Sequence, residues 1–204
     1  TIRALHVAED EVEAAMVDAL GPRTFDSLLD LGTGTGRMLE LFGPLYRRAV
    51  GVDASNDMLA VARANLDHAG VADVQVRLGD INHLPFVRNS FDVVTIHQVL
   101  HYLDDPERAL AEAARVLRPG GRLLVVDFAP HDLEFLRERH HHQRLGFARQ
   151  AMRQWIEAPG LALESARDLK PAGEGAQGKL TVTLWLARDR RIAIADAGVS
   201  VAVA

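Results

Sequence analysis

A chain of 204 residues with a formal net charge of −5, 25% charged and 48% hydrophobic residues, has the size and balance of one α/β domain. That balance excludes the basic stripe of a direct nucleic-acid binder, and no apolar run approaches the ~20 residues that cross a bilayer. The absence of cysteine excludes disulfides, thiolate metal sites and a cysteine nucleophile, and accords with a cytoplasmic location.

No signal-peptide pattern opens the chain. It begins on Thr1 rather than Met, so an upstream segment with room for a whole domain is expected. Residues 5–20 read as an amphipathic helix with Leu5, Val12, Met16, Ala19 and Leu20 on one side, stopped by Gly21-Pro22. Ser27–Leu31 is a first short strand carrying the acid Asp30. The turn Gly32-Thr33-Gly34-Thr35-Gly36 follows, then a helical pattern with Met38, Leu41, Phe42 and Leu45 on one face. A strand, a glycine turn and a helix start gather backbone N–H groups where a ligand can approach closely. A dinucleotide site wants Gly-x-Gly-x-x-Gly, but Arg37 stands where the third glycine would fall. Asp30, two residues before Gly32, suits an ammonium or sulfonium better than a pyrophosphate. A plain strand-to-helix connection is the alternative.

Ala49–Asp53 is the second strand and again ends in an acid. Ser55 can cap the next helix, with Met58, Val61, Ala62 and Leu66 facing inward and Gly70 as its stop. Val74–Leu78, followed by Gly79-Asp80, is the third strand, and Phe91–Ile96 the fourth. Asp105-Pro106 opens a helix whose buried side is Ala109, Leu110, Ala113, Val116 and Leu117. Pro119-Gly120-Gly121 breaks it before a fifth strand, Arg122–Phe128. Strands alternating with helices predict a mostly parallel sheet covered on both faces. After Pro130 the rhythm changes. His131–Leu145 reads as a polar helix, and Ala148–Glu157 as a shorter one with Met152, Trp155 and Ile156. Leu161–Leu169 and Lys179–Ala187 read as two strands joined by the loop Pro171–Gly178, a hairpin that adds an antiparallel strand near the sheet edge. The tail after Asp189 alternates Ile192, Ile194, Val199, Val201 and Val203, which fits an added strand, a subunit contact or a frayed end.

In an open α/β sheet ligands bind at the carboxyl ends of the strands. Here Asp30, Asp53, Asp80 and His97 all fall at or near such ends. Asp53 is placed to take a pair of ribose hydroxyls, and Asp80 to accept from an adenine amino group while a backbone N–H, with Ile81 next in line, meets the ring. Met58 can pack on the purine. Any one acid is equally a helix cap or a solvated loop residue; three at successive strand ends point to a site. His97 and His101, four apart, are the candidate bases should an acceptor carry a proton to lose. The alternative is that His97 only contacts the ligand and His101 packs beside it. Tyr102 is expected to be structural. His140-His141-His142 point in different directions on a helix, so no metal site is expected there. An exposed helix or a lid, flanked by Arg137, Glu138 and Arg139, is the reading of that stretch.

The segments LLDLGTGTG, VGVDAS, the GD pair at 79–80, FDVVTIHQVLHYLDDP and RVLRPGGRLLVVDF resemble the ordered motifs of class I S-adenosylmethionine-dependent methyltransferases over about residues 25–130. The resemblance implies an α/β, Rossmann-like, doubly wound, mostly parallel seven-stranded sheet with a C-terminal antiparallel hairpin. It implies a methyltransferase domain over residues 1–189, with 131–157 as a lid on the acceptor side and 190–204 as a tail of undefined role. It implies S-adenosylmethionine as cofactor and S-adenosylhomocysteine as product, held by Asp30, Gly32, Thr33, Gly34, Asp53, Ala54, Met58, Gly79, Asp80, Ile81, His97 and Gln98. A small-molecule acceptor would lie beneath residues 131–157. The phrases HQVLHYLDDP, VDFAPHDLEFLRE and GKLTVTLWLARD are similar to the methyltransferase-like domain fused behind winged-helix repressors of the ArsR type. That likeness implies a rival role as a sensor of S-adenosylmethionine or S-adenosylhomocysteine, with a fused or partner winged-helix DNA-binding domain; a homodimer is among the assemblies it allows. The absence of cysteine weighs against an arsenite methyltransferase, and the displaced glycine and missing Tyr-x-x-x-Lys pair weigh against a nicotinamide oxidoreductase.

Overall fold

In a computed structural model that describes residues 7–171 and 180–191, seven strands form one sheet in the order β3-β2-β1-β4-β5-β7-β6. The strands are β1 Phe25–Leu31, β2 Tyr46–Asp53, β3 Val74–Leu78, β4 Phe91–His97, β5 Leu117–Phe128, β6 Leu161–Leu169 and β7 Val182–Asp189. The first five run parallel. β7 lies antiparallel between β5 and β6, so the sheet has the Rossmann-like, doubly wound form with its hairpin at the end of the chain. Strand order reverses between β1 and β4, and the carboxyl ends of those two strands therefore flank the crevice where such sheets bind ligands.

Side chains alternate across the sheet with period two. Leu29, Leu31, Val94, Ile96, Leu123, Val125 and Trp185 pack on one face against helices α4 (Pro106–Val116) and α6 (Arg149–Glu157). Leu28, Val93, Leu124, Val126 and Leu184 pack on the other, against α1 (Glu9–Leu20) and α2 (Arg37–Leu41). The buried stripe of α1 is Val12, Ala15, Met16 and Leu20, and its acids Glu9, Asp10 and Glu11 sit where the helix dipole favours negative charge. Asp105 caps α4 by accepting from the Arg108 N–H at 3.0 Å, with Pro106 in the first turn. All five apolar residues expected on that helix face are fully buried.

Several expectations are corrected. The helix after the glycine turn stops at Leu41, so Phe42 and Leu45 pack from outside it. The buried face of α3 (Asn56–His68) is Leu59, Ala62 and Leu66; Met58 and Val61 are nearly half exposed. Helical spacing around Ala62 admits either set, and the sheet selects the one beginning at Leu59. Residues 118–121 bulge out of β5, since the register with β4 jumps from Phe91↔Leu117 to Val93↔Arg122. The long polar helix over 131–145 is absent: only α5, Phe135–His140, is helical. His141 takes a left-handed φ of 57°, the His142 N–H closes back on the Leu136 carbonyl, and the N–H groups of Gln143 and Arg144 turn to the His101 carbonyl, which outweighs a weak local propensity. Leu5, Lys179, the hairpin loop beyond Pro171 and the alternating tail from Ile192 lie outside the described residues.

Candidate cofactor site

The site begins with the glycine turn. Gly32 and Thr33 donate their N–H groups to the Val52 carbonyl at 2.8 and 3.0 Å, which folds the turn over the end of β2. Gly32 has a φ of +71°, and a Cβ there would collide with the Val99 side chain. Gly34, at φ +52°, would direct a Cβ into open space. The turn is thus packed against Val99 at Gly32 and open at Gly34, and both glycines line the crevice.

Asp53 joins this turn to the next helix. Its Oδ2 accepts from the Gly34 N–H at 2.8 Å and its Oδ1 from the Ser55 N–H at 2.9 Å. Ser55 in turn caps α3, its hydroxyl accepting from the Met58 N–H at 3.3 Å. Each carboxylate oxygen retains a lone pair for a ligand. A cleft of about 830 Å³ opens beside these groups. Among the residues expected from sequence, Gly32, Gly34, Asp53, Ala54, Met58, Gly79, Asp80, Ile81, His97 and Gln98 line it. Met58 is exposed because it stands in the cleft wall. Asp80 sits at the rim, where the hydrogen bond from His83 Nδ1 at 3.0 Å and the Asn82 N–H at 2.8 Å hold its carboxyl below the usual range.

Three expected residues stand elsewhere. Asp30 is buried in the sheet behind the glycine turn rather than at the lip. Its Oδ1 accepts from the Thr95 hydroxyl at 2.7 Å, and the hydroxyl of buried Thr33 also lies close enough to act on the carboxyl. Burial pushes the Asp30 carboxyl up to about 6, against the pull of the Thr95 hydroxyl. His101 is the third. Gln98 has a left-handed φ of 54°, and a single 3-10 turn, Leu100–Tyr102, follows. The helical spacing that would align His97 with His101 therefore never forms. His97 lines the cleft, and burial holds its imidazole below the usual range while Asp127 and Glu13 oppose that. His101 is buried, its Nδ1 2.8 Å from Asp127 Oδ1.

The cleft also contains residues not expected from sequence: Val52, Ser55, Leu78, Asn82, Val99, Tyr102 and Leu103. Tyr102 is 49% exposed and forms cleft wall rather than core. The available signal was a large aromatic directly ahead of the Asp105-Pro106 helix start, in the loop after a central strand. Of the three successive histidines, His140 packs edge-on to Phe135 and His142 stacks on Phe128. Among the described residues no group of His, Asp and Glu could hold a metal ion, and no helix is long and apolar enough to cross a membrane.

Sheet order, glycine turn and strand-end acids together define a class I methyltransferase fold. Residues 29–125 match the family described as a methyltransferase domain. The chain is similar to the uncharacterized methyltransferase YcgJ of Bacillus subtilis, 36% identical over 126 residues, covering 61% of this chain and 50% of that one. It is also similar to the ubiquinone/menaquinone biosynthesis C-methyltransferase UbiE of Roseobacter denitrificans, 42% identical over 120 residues and covering 56% and 47%. The chain spans about half the length of the curated relatives it matches. Among solved structures, a geranyl diphosphate methyltransferase in complex with S-adenosylmethionine superposes with a TM-score of 0.76 at 19% identity, covering 89% of this chain and 85% of that one.

S-adenosylmethionine is the cofactor of this class, and the residues present fit it. The turn is bare at Gly34, the Asp53 carboxylate lines the cleft, and the buried Asp30 carboxyl lies just behind the turn. A cationic sulfonium compound suits a site with acids on both its floor and its rim.

Proposed function

We propose that this chain is an S-adenosylmethionine-dependent methyltransferase for a small acceptor held between the His97 end of the cleft and the segment 129–147. The observation that carries the reading is Asp53, whose carboxylate is fixed by the N–H groups of Gly34 and Ser55 while facing the cleft at the sheet's switch point. Gly79, Asp80 and Ile81 hold the base end, with Met58 against the purine. Gln98 and the glycine turn hold the amino-acid end, with Asp30 as a buried counter-charge. When bound, the cofactor would supply an electrophilic methyl group for in-line displacement by the acceptor, with the sulfonium sulfur as leaving group. Positioning supplies most of the rate for such a displacement. His97 adds a base: burial keeps its imidazole neutral near pH 7, so its lone pair can take the proton of a protic acceptor.

Calorimetric titration with S-adenosylmethionine and S-adenosylhomocysteine, followed by methyl transfer from labelled cofactor to a panel of small acceptors, tests this. Binding of both with transfer to at least one acceptor is the expected result. Failure of both to bind would refute the reading. The sensor role is a second reading, favoured by one observation: with His101 buried, the cleft offers a single imidazole. Markedly tighter binding of S-adenosylhomocysteine with no turnover of any acceptor would select it.

A further inference from the structure

Behind the β4 end of the cleft lies a buried cluster that the proposed chemistry does not use. Asp127, fully buried near the end of β5, accepts from the His101 ring at 2.8 Å, from the His101 N–H at 3.3 Å and from the Phe128 N–H at 2.8 Å. A carboxylate only accepts, so His101 carries its proton on Nδ1. The turn so fixed presents Val99, Tyr102 and Leu103 to the cleft.

The same turn anchors the segment on the acceptor side. The His101 carbonyl accepts from the N–H groups of Gln143 and Arg144 at 2.9 and 3.2 Å, and the Arg144 guanidinium donates to the Asp104 carbonyl at 3.0 Å. The His142 ring lies 4.2 Å from that of His101 and stacks on Phe128. The segment is a closed loop: its neck is made by His131 N–H to the Leu145 carbonyl and Phe147 N–H to the Phe128 carbonyl. Gly146 packs against Ala129 there at φ +81°, so closely that a Cβ would strike the Ala129 carbonyl.

We infer that Asp127 and His101 are positioning residues that couple the loop 129–147 to the wall of the cofactor cleft, so that ligand pressing on Val99, Tyr102 and Leu103 tightens the loop over the acceptor. The inference rests on the cofactor reading above. Both partners of the coupling hang on one short turn, and the turn hangs on one buried carboxylate. Coupling of this kind works in both directions, so tightening the loop strengthens cofactor binding by the same factor.

Trypsin reads the loop at Arg137 and Arg139. With saturating S-adenosylhomocysteine, cleavage there in the wild-type chain should slow by about five-fold or more, the low end of ordinary coupling between sites. His101→Phe keeps the ring contacts but removes the donor to Asp127, and should abolish that slowing. His101→Asn places an amide N–H where Nδ1 stood, and should restore it; a purely space-filling role would give the opposite order. Arg144→Ala, on the surface side of the loop, should also abolish the slowing, with affinity for S-adenosylhomocysteine falling by no more than the same factor. Binding of S-adenosylhomocysteine without protection of the wild-type loop, or protection that survives both His101→Phe and Arg144→Ala, overturns the coupling alone. No binding to the wild type overturns the cofactor reading and this inference with it.

Discussion

The two halves of the cleft are built on different principles. On the β2 side a carboxylate, a glycine turn and a capped helix lie within residues 32–58, and the bonds that tie the Asp53 carboxylate and the Ser55 cap into place all come from backbone N–H groups. On the β4 side the wall is a single 3-10 turn held by a carboxylate 26 residues further on and by a loop some 40 residues away. The first half is local and rigid, and suits a ligand part that never changes. The second depends on distant segments meeting, and suits a surface shaped to one acceptor.

That contrast can be broken from either side. The largest effect should come from His97→Gln, which removes the proposed base without altering the β2 half. Methyl transfer to a protic acceptor should fall by about 10²-fold or more while cofactor affinity holds; an unchanged rate in steady-state kinetics would leave His97 as scaffold. Next is Asp30→Asn. A carboxyl that ionises near 6 in the folded chain and near 3.8 unfolded keeps its proton in the folded state between those values. Stability therefore falls as pH rises from about 4 to 6, a cost of about 3 kcal/mol at neutral pH. Denaturant unfolding across that range should show the loss in the wild type and not in the variant.

Asp53→Ala removes an acceptor shared by two backbone N–H groups and the ligand. S-adenosylhomocysteine binding should weaken by about 1.5–3 kcal/mol in calorimetry, the worth of hydrogen bonds to a charged group. A last effect, again on stability, belongs to the β4 side. Burial, then the neighbouring His101, hold the His142 imidazole down to about 4, whereas the unfolded chain takes up that proton near 6.5. Stability is lost as pH falls from 6.5 through 4, and His142→Phe, keeping the stack on Phe128, should flatten that part of the thermal-melting profile.

The same division explains what the sequence revealed. Gly32, Gly34, Asp53 and Asp80 were legible as site residues, and Ser55 as a cap, because strand, turn, acid and cap are contiguous and each restricts the backbone on its own. His101 takes the packing alternative, because four-residue spacing means a shared face only in a helix and Gln98 turns left-handed instead. Asp30 falls behind the turn because Gly32 and Thr33 fold over to the Val52 carbonyl, a contact with another strand. The polar stretch after Pro130 read as helix on composition, but the carbonyls of His101 and Asp104 draw in Gln143 and Arg144. Tyr102 reaches the cleft wall through the same 3-10 turn, which helical spacing does not foretell.

β7 has a bearing on how the molecule comes into being. It is the last strand in sequence among the described elements, yet it sits inside the sheet, bonded to β5 on one side and β6 on the other, and contributes the wholly enclosed Trp185. While a ribosome is still making residues 161–181, β5 offers an open row of amides and carbonyls to any passing strand. The protein must hold that gap until residue 189 emerges, and a shortened product ending before Val182 would expose an adhesive edge next to an otherwise finished cofactor pocket.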